Sequence, residues 1–236
     1  MGVLSGLQPQ AVFHFFEELC AIPHGSHNTK AISDYLVAFA EERHLKFRQD
    51  ELNNVVIWKA PTAGYEHAPA VMIQGHMDMV AEKDADCPKD MEKEGLDLFV
   101  DGDTVGARGT TLGGDDGIAV AMALAVLDGD DIPHGPLECL FTVDEEVGML
   151  GARGLDASDL TAKYMLNVDS EEERSSPSAA PGPPCWSAPC PWSGAPSGAR
   201  SAPSPWTASW AATPARRSTN AGPMPTSSWA GPSSSS

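Results

Sequence analysis

Residues 70–80 read AVMIQGHMDMV, an apolar run followed by polar residues. The run over residues 70–74 predicts a short buried strand that ends at Gly75, and His76 and Asp78 follow it directly. If the chain stays extended there, the two side chains point to one face, because side chains alternate along a strand. A metal-binding histidine usually donates its other ring N–H to an acceptor, and Asp78 is placed to be that acceptor. Taken alone, the pair also fits a buried histidine beside an ordinary loop acid.

Helix and strand patterns alternate on both sides of this stretch. Apolar residues spaced three and four apart predict helices over residues 9–22, 28–43 and 116–127, and a further helix beginning within 148–155. Short apolar runs predict strands over residues 54–59, 137–143 and 164–168, and a hairpin joining 98–100 to 104–107. This alternation predicts an α/β fold, a layered sandwich with a mostly parallel central sheet.

Acidic residues follow the other predicted strands. Asp144, Glu145 and Glu146 come directly after the strand at 137–143, and Asp169 comes after the strand at 164–168. Asp115 lies in a glycine-rich turn before a predicted helix. Sites in parallel sheets form at the carboxyl ends of the strands, so these acids and His76 can converge at one edge. One imidazole with several carboxylates suits zinc, manganese or cobalt.

Each acidic motif also has a simpler explanation when it is taken alone. Asp115 and Asp116 could cap the helix that follows them, because aspartate accepts hydrogen bonds from the first helical N–H groups. The run at residues 144–146 could be a solvated loop. The joint pattern is more specific than any single part.

The composition changes sharply near Glu173. Residues 174–236 contain 13 of the 20 prolines and no Asp, Glu, Lys, His, Leu, Ile, Val, Phe or Tyr. A segment with so few aliphatic side chains and so many prolines predicts a disordered Pro/Ser/Ala-rich tail. Five of the six tryptophans also lie there, which suits a linker poorly and favours a stretch read out of frame. A genuine proline- and serine-rich tail is the alternative.

The net charge, the cysteines and the apolar runs limit the partners and the cellular compartment that we expect. A net charge of −18 argues against nucleic acid and anionic membranes as partners. Cys20, Cys87 and Cys139 are far apart and show no CxxC spacing, which favours a reducing compartment. The sequence has no basic leader and no apolar run of about 18 residues, so we expect a cytoplasmic protein.

Four strings in this sequence resemble the M20 metallopeptidases, and within them the aminoacyl-histidine dipeptidase branch. They are QGHMDMV (74–80), ARGTTLGGDDGIAVA (107–121), TVDEEVGMLGA (142–152) and NVDSEEE (167–173), with CAIPHGS (20–26) and KAPTAG (59–64) in support. The resemblance covers roughly residues 5–173. It implies a partial zinc-peptidase-like three-layer sandwich, with residues 1–173 as the N-terminal part of the catalytic domain and 174–236 as the tail.

The resemblance also implies a ligand set for two divalent metal ions, zinc in the first place, with manganese or cobalt as alternatives. His76 and Asp169 resemble ligands of the first ion, and Glu146 resembles a ligand of the second. Asp115 resembles the carboxylate that bridges both ions, and the peptide bond between Asp115 and Asp116 is expected to be cis.

Two further residues resemble the catalytic groups. Asp78 corresponds to the acid that holds the ring of His76, and Glu145 to the general base. The implied reaction is attack of hydroxide, bound between the two metals, on the amide of a small dipeptide, including Xaa-His. Glu145 would then pass the proton to the leaving amine.

One departure from the family limits the expected activity. The second metal of the family needs a later histidine, but all seven histidines of this chain precede Asp169. We therefore expect weak or absent peptidase activity from this truncated chain, and no homodimer of the kind expected for the intact family. A small peptide remains the expected substrate. The alternatives are another M20-type amidohydrolase (tripeptide aminopeptidase, carboxypeptidase or deacylase), a non-catalytic metal-binding fragment, and an unfolded product.

Overall fold

The computed structural model describes residues 2–169. The four helices of this part are α1 (Gln10–Cys20), α2 (Lys30–Glu42), α3 (Gly114–Asp128) and α4 (Leu150–Gly154). The seven strands are β1 (Lys46–Gln49), β2 (Val55–Lys59), β3 (Val71–His76), β4 (Leu98–Asp101), β5 (Thr104–Ala107), β6 (Leu137–Thr142) and β7 (Tyr164–Asn167). The predicted tail over 174–236 lies outside the described residues.

Five strands form one sheet in the order β1-β2-β6-β3-β7. β3 pairs in parallel with both β6 and β7, whereas β2 pairs antiparallel with both β6 and β1. The strands β1, β6, β3 and β7 therefore share one direction, and β2 alone runs against them. This confirms an α/β fold with a mostly parallel sheet, and it brings the carboxyl ends of β3, β6 and β7 to one edge.

Alternating side chains of the sheet face two separate apolar layers. Residues on one face share a core with α1, α2 and α3; they include Val55, Ile57, Cys139 and Phe141. Residues on the other face form a smaller cluster, Val56, Met72 and Leu140, against which Leu155, Leu160 and Ala162 pack. Apolar side chains on both faces explain why these strands read as continuous apolar runs in the sequence.

The helices differ in how they are buried. α1 has a buried stripe of phenylalanine and leucine side chains, as the three- and four-residue spacing predicts. α3 is almost entirely apolar after its first turn and lies between α1 and β3. In the part of the chain that the structure describes, no helix is long and apolar enough to cross a membrane.

Among the elements of residues 2–169, strand β1 alone was not predicted by the sequence pattern. Its residues KFRQ contain a single large apolar side chain and no alternation. Pairing with β2 defines the strand, because Phe47 lies opposite Ile57 in an antiparallel register. The predicted hairpin is confirmed as a separate sheet of β4 and β5, which turns between Asp101 and Thr104.

Candidate metal centre

The segments that carry the predicted site residues meet at the carboxyl edge of the sheet. His76 is the last residue of β3, residues 144–146 follow β6, and Asp169 follows β7. Asp115 enters the same region from the first turn of α3. Gly113, which precedes that turn, has a φ of +68°, a left-handed conformation that favours glycine.

Three of the predicted residues form a group that could hold a metal ion. One ligand atom each from His76, Asp115 and Glu146 lies within 4.8 Å of the other two. The His76 Nε2 and Asp115 Oδ1 atoms are 3.1 Å apart. Two ligands of a tetrahedral site, each at about 2.0–2.2 Å from the ion, are separated by roughly 3.3–3.6 Å, so these two atoms are close enough to bind one divalent ion. His76 is buried, whereas the two carboxylates are exposed, so the group opens to solvent.

Asp169 does not belong to this group. It is exposed, and its charge raises the pKa values of Asp116 and Glu145, which places it near the site. The roles predicted for the six site residues therefore stay predictions, with three of the four predicted ligands gathered together.

Asp78 contacts Nδ1 of His76, the ring nitrogen that does not face Asp115. His76 Nδ1 lies 2.9 Å from the backbone carbonyl oxygen of Asp78 and 3.5 Å from its carboxylate Oδ1. The sequence predicted the carboxylate as the acceptor, and the carbonyl oxygen of the same residue is the nearer one. Burial opposes protonation of His76, but its hydrogen bonds to Asp115 and Asp78 outweigh that effect and raise its pKa to about 11.

The surrounding carboxylates form a region of unbalanced negative charge. Asp116 is 2% exposed, and its Oδ2 atom has no hydrogen-bond partner among the residues that the structure describes. Burial, together with the charges of Asp169 and Asp115, raises the pKa of Asp116 to about 7 against the opposing effect of His76. The pKa values of Glu145 and Glu146 are raised too, first by burial and then by neighbouring carboxylates. A bound cation would offset both the burial and the repulsion, so the residues fit a metal site.

Helix capping does not account for Asp115 and Asp116. Within residues 2–169, the N-cap of α3 is Gly113 with no side-chain cap, and both aspartates have non-helical backbone angles inside the first turn. The peptide bond between them is cis, as the resemblance implied.

Sequence reasoning missed the residues that hold the site from the N-terminal side. Ser26 Oγ donates to Asp78 Oδ2 at 2.8 Å. The backbone N–H of His27 donates to Asp144 Oδ1 at 2.6 Å, and Asp144 has a φ of +54°. These contacts join positions 52 and 117 residues apart, so local spacing carried no signal for them.

Comparison with protein families gives a match over the site. The profile of peptidase family M20/M25/M40 matches residues 72–202, more than half of the chain. The matched region includes the segments that carry all six predicted site residues, and it extends past the change of composition near Glu173.

Individual relatives match most of this chain and a minor part of their own length. A cytosol non-specific dipeptidase of Escherichia coli is 44% identical over 173 residues, 73% of this chain and 36% of the relative. An aminoacylhistidine dipeptidase structure from Vibrio alginolyticus is 44% identical, with a TM-score of 0.70, over 72% of this chain and 35% of that one. A tripeptidase structure from Staphylococcus aureus is 27% identical, with a TM-score of 0.57, over 68% and 43%. The chain thus spans about a third of the length of the first two.

Proposed function

The chain belongs to peptidase family M20/M25/M40, and from this membership we propose that it is the N-terminal catalytic part of a metal-dependent dipeptidase. The observation that carries the proposal is the group formed by His76, Asp115 and Glu146 at the carboxyl edge of the sheet. An imidazole and two carboxylates in this arrangement are typical ligands for zinc, and manganese and cobalt suit the same donors.

The ligand roles follow from this group. As the resemblance implies, His76 and Asp169 would be ligands of a first divalent ion and Glu146 of a second, with the Asp115 carboxylate shared by both. The ligand atoms of His76, Asp115 and Glu146 are the part of this set that lies together. Such ions lower the pKa of bound water to about 7 and polarise the carbonyl of the scissile amide. Displacement of the proton from His76 Nε2 would accompany binding, so metal uptake would release protons.

Glu145 is suited to proton transfer. It follows β6 beside Glu146 but does not belong to the ligand group, so its carboxylate is free to accept a proton. Burial and the neighbouring acids raise its pKa, which makes it a better base for the attacking water. The same carboxyl group would then donate that proton to the leaving amine.

The substrate class is proposed from the relatives. The Escherichia coli and Vibrio alginolyticus proteins, each 44% identical, carry names of dipeptidases, the second of aminoacylhistidine substrates. We therefore expect small dipeptides, Xaa-His among them, and a cytoplasmic location like that named for the first relative. A tripeptidase is the second candidate, supported by the Staphylococcus aureus structure.

We expect weak or absent turnover of substrate by this chain, because His76 is the one histidine in the ligand group found among residues 2–169. A non-catalytic metal-binding role is the corresponding alternative.

For domain organisation, we propose that the folded catalytic part ends near residue 173, on the basis of the composition change there.

Zinc binding and substrate choice test the proposal separately. We expect the chain to bind zinc in competition with a chromophoric chelator, and His76→Ala to lose that binding. With zinc supplied, residual hydrolysis is expected for dipeptides but not for tripeptides or N-acyl amino acids, and a chelator should abolish it. Zinc binding without any turnover would favour the non-catalytic role, and absence of zinc binding would overturn the proposal.

A further inference from the structure

The loop between α1 and α2 reaches the metal centre from outside the sheet. Its residues His24, Gly25 and Ser26 run parallel to the segment that follows β3 and bond to Met79 at two points. Met79 N–H donates to the His24 carbonyl at 3.1 Å, and Ser26 N–H donates to the Met79 carbonyl at 3.2 Å. A Cβ atom at Gly25 would lie 2.7 Å from Ala81 Cβ, so glycine permits this close approach.

The hydroxyl of Ser26 makes the contact that matters for the site. It donates to Asp78 Oδ2 at 2.8 Å, while the other oxygen, Oδ1, accepts the backbone N–H of Glu145 at 3.1 Å. The Asp78 side chain is wholly buried, so its two oxygens depend on protein donors. One carboxylate thus joins the loop, the end of β3 and the turn after β6.

The orientation of this carboxylate affects two neighbours. Asp78 Oδ1 lies 3.5 Å from His76 Nδ1 on one side and bonds to the Glu145 backbone on the other. A rotation of the carboxylate would release the backbone of Glu145 and would leave His76 Nδ1 with the Asp78 carbonyl oxygen alone. The hydroxyl on Oδ2 opposes that rotation, since rotation would leave a buried oxygen unpaired.

We propose that Ser26 is a positioning residue of the metal centre, which acts through Asp78 to fix the ring of His76 and the turn that carries Glu145 and Glu146. The inference rests on the proposed metal site. Groups behind metal ligands commonly change metal affinity by 10–100-fold when they are removed. Ser26 contacts Asp78 and not a metal ligand, so we expect a loss of zinc affinity at the lower end of that range.

Two serine variants separate this role from general stability. Ser26→Ala removes the hydroxyl but keeps the backbone bonds to Met79, so the loop stays attached. Ser33→Ala is the matched control: Ser33 is fully buried, its hydroxyl donates to the Asn53 carbonyl at 2.7 Å, and it lies in α2 away from the ligand group. Ser26→Thr restores a hydroxyl donor at the original position.

The experiment measures zinc affinity by chelator competition, the visible spectrum of the cobalt-loaded full chain, and urea unfolding for all variants. We expect Ser26→Ala to lose about tenfold in zinc affinity and to alter the cobalt spectrum. Ser26→Thr should recover both, and Ser33→Ala should change unfolding alone. If Ser26→Ala does not fold, Ser26→Cys, which carries a weaker donor of similar size, should lose several-fold in affinity.

Unchanged zinc affinity in Ser26→Ala, or in a folded Ser26→Cys where alanine is not tolerated, would overturn the inference. An equal loss in Ser33→Ala, or no recovery in Ser26→Thr, would do the same. These outcomes presuppose tight zinc binding by the unaltered chain. A chain that binds no zinc would instead overturn the proposed metal site itself, and so the two failures are distinguishable.

Discussion

Glu145 and Glu146 are sequence neighbours that we expect to differ in role. Glu146 offers a ligand atom to the group with His76 and Asp115, whereas Glu145 does not belong to that group. Glu146→Gln should therefore weaken zinc binding by at least about tenfold, because a neutral amide is a poorer ligand than a carboxylate. Glu145→Gln should change zinc affinity by less than about twofold, since it removes a base and not a ligand.

Isothermal titration with zinc compares the two variants directly, and Glu51→Gln, an exposed substitution in the turn before β2, serves as the control. Equal losses for the two site variants would show that Glu145 also binds the metal. Unchanged zinc affinity in both variants would show that Glu146 is not a metal ligand.

The reactivity of the cysteines tests the burial of single residues. Burial raises the pKa of Cys20 and of Cys139 to about 12, and only the thiolate reacts with alkylating reagents. At pH 8, about one in ten thousand of such thiols is ionised. Among the three cysteines of residues 2–169, we therefore expect iodoacetamide to modify the half-buried Cys87 first in the native chain, as followed by peptide mass spectrometry. In urea the three should react at similar rates; early modification of Cys139 in the native chain would contradict the burial of β6.

At the scale of the elements, strand β6 carries a buried acid that binds the segment leading into β7. Glu138 is 2% exposed, and its carboxylate accepts bonds from the Thr161 N–H and hydroxyl and from the Ala162 N–H. Glu138→Ala would leave these donors unpaired, so we expect a loss of about 2–4 kcal/mol in the free energy of unfolding. Glu138→Gln keeps one acceptor oxygen and should lose less.

Urea unfolding measures these losses, and amide hydrogen exchange at Thr161 and in β7 should speed up before the rest of the sheet. Glu51→Ala, at an exposed position, should stay within about 0.5 kcal/mol of the unaltered chain. A Glu138→Ala variant with unchanged unfolding would show that segment 160–162 is not held by β6.

The elements also show what the sequence could predict. Strand β6 is buried throughout and β3 is buried or half-buried, so their apolar composition alone identified them. The order of residues along the chain then placed the acidic residues after these strands. β1 depends on pairing with β2, and its own residues contain no strand pattern. The contact between Ser26 and Asp78 depends on how the loop after α1 folds back, which residue spacing does not encode.

At the scale of the whole molecule, the sheet is covered unevenly. Three helices pack on one face, and the core there is continuous from α1 to β6. The last strand in the order of the sheet, β7, pairs with β3 and with no other strand among residues 2–169. Its side chains are exposed on both faces: Tyr164 by 54%, Met165 by 49% and Leu166 by 56%. An exposed apolar strand at the end of a sheet is a template for pairing with another chain.

We therefore expect the chain to associate as its concentration rises, through the side of β7 that no strand of residues 2–169 covers. Leu166→Lys should raise the concentration needed for association several-fold, because a charge on an edge strand opposes edge-to-edge pairing. The substitution leaves the backbone bonds to β3 in place, so the unfolding free energy should change little. Sedimentation velocity over a concentration series measures the effect. Val3→Lys is the matched control, since Val3 is 53% exposed and lies before α1, away from the sheet edge. If both lysine variants reduce association equally, net charge and not the edge of β7 controls it; if neither does, β7 is not the contact surface.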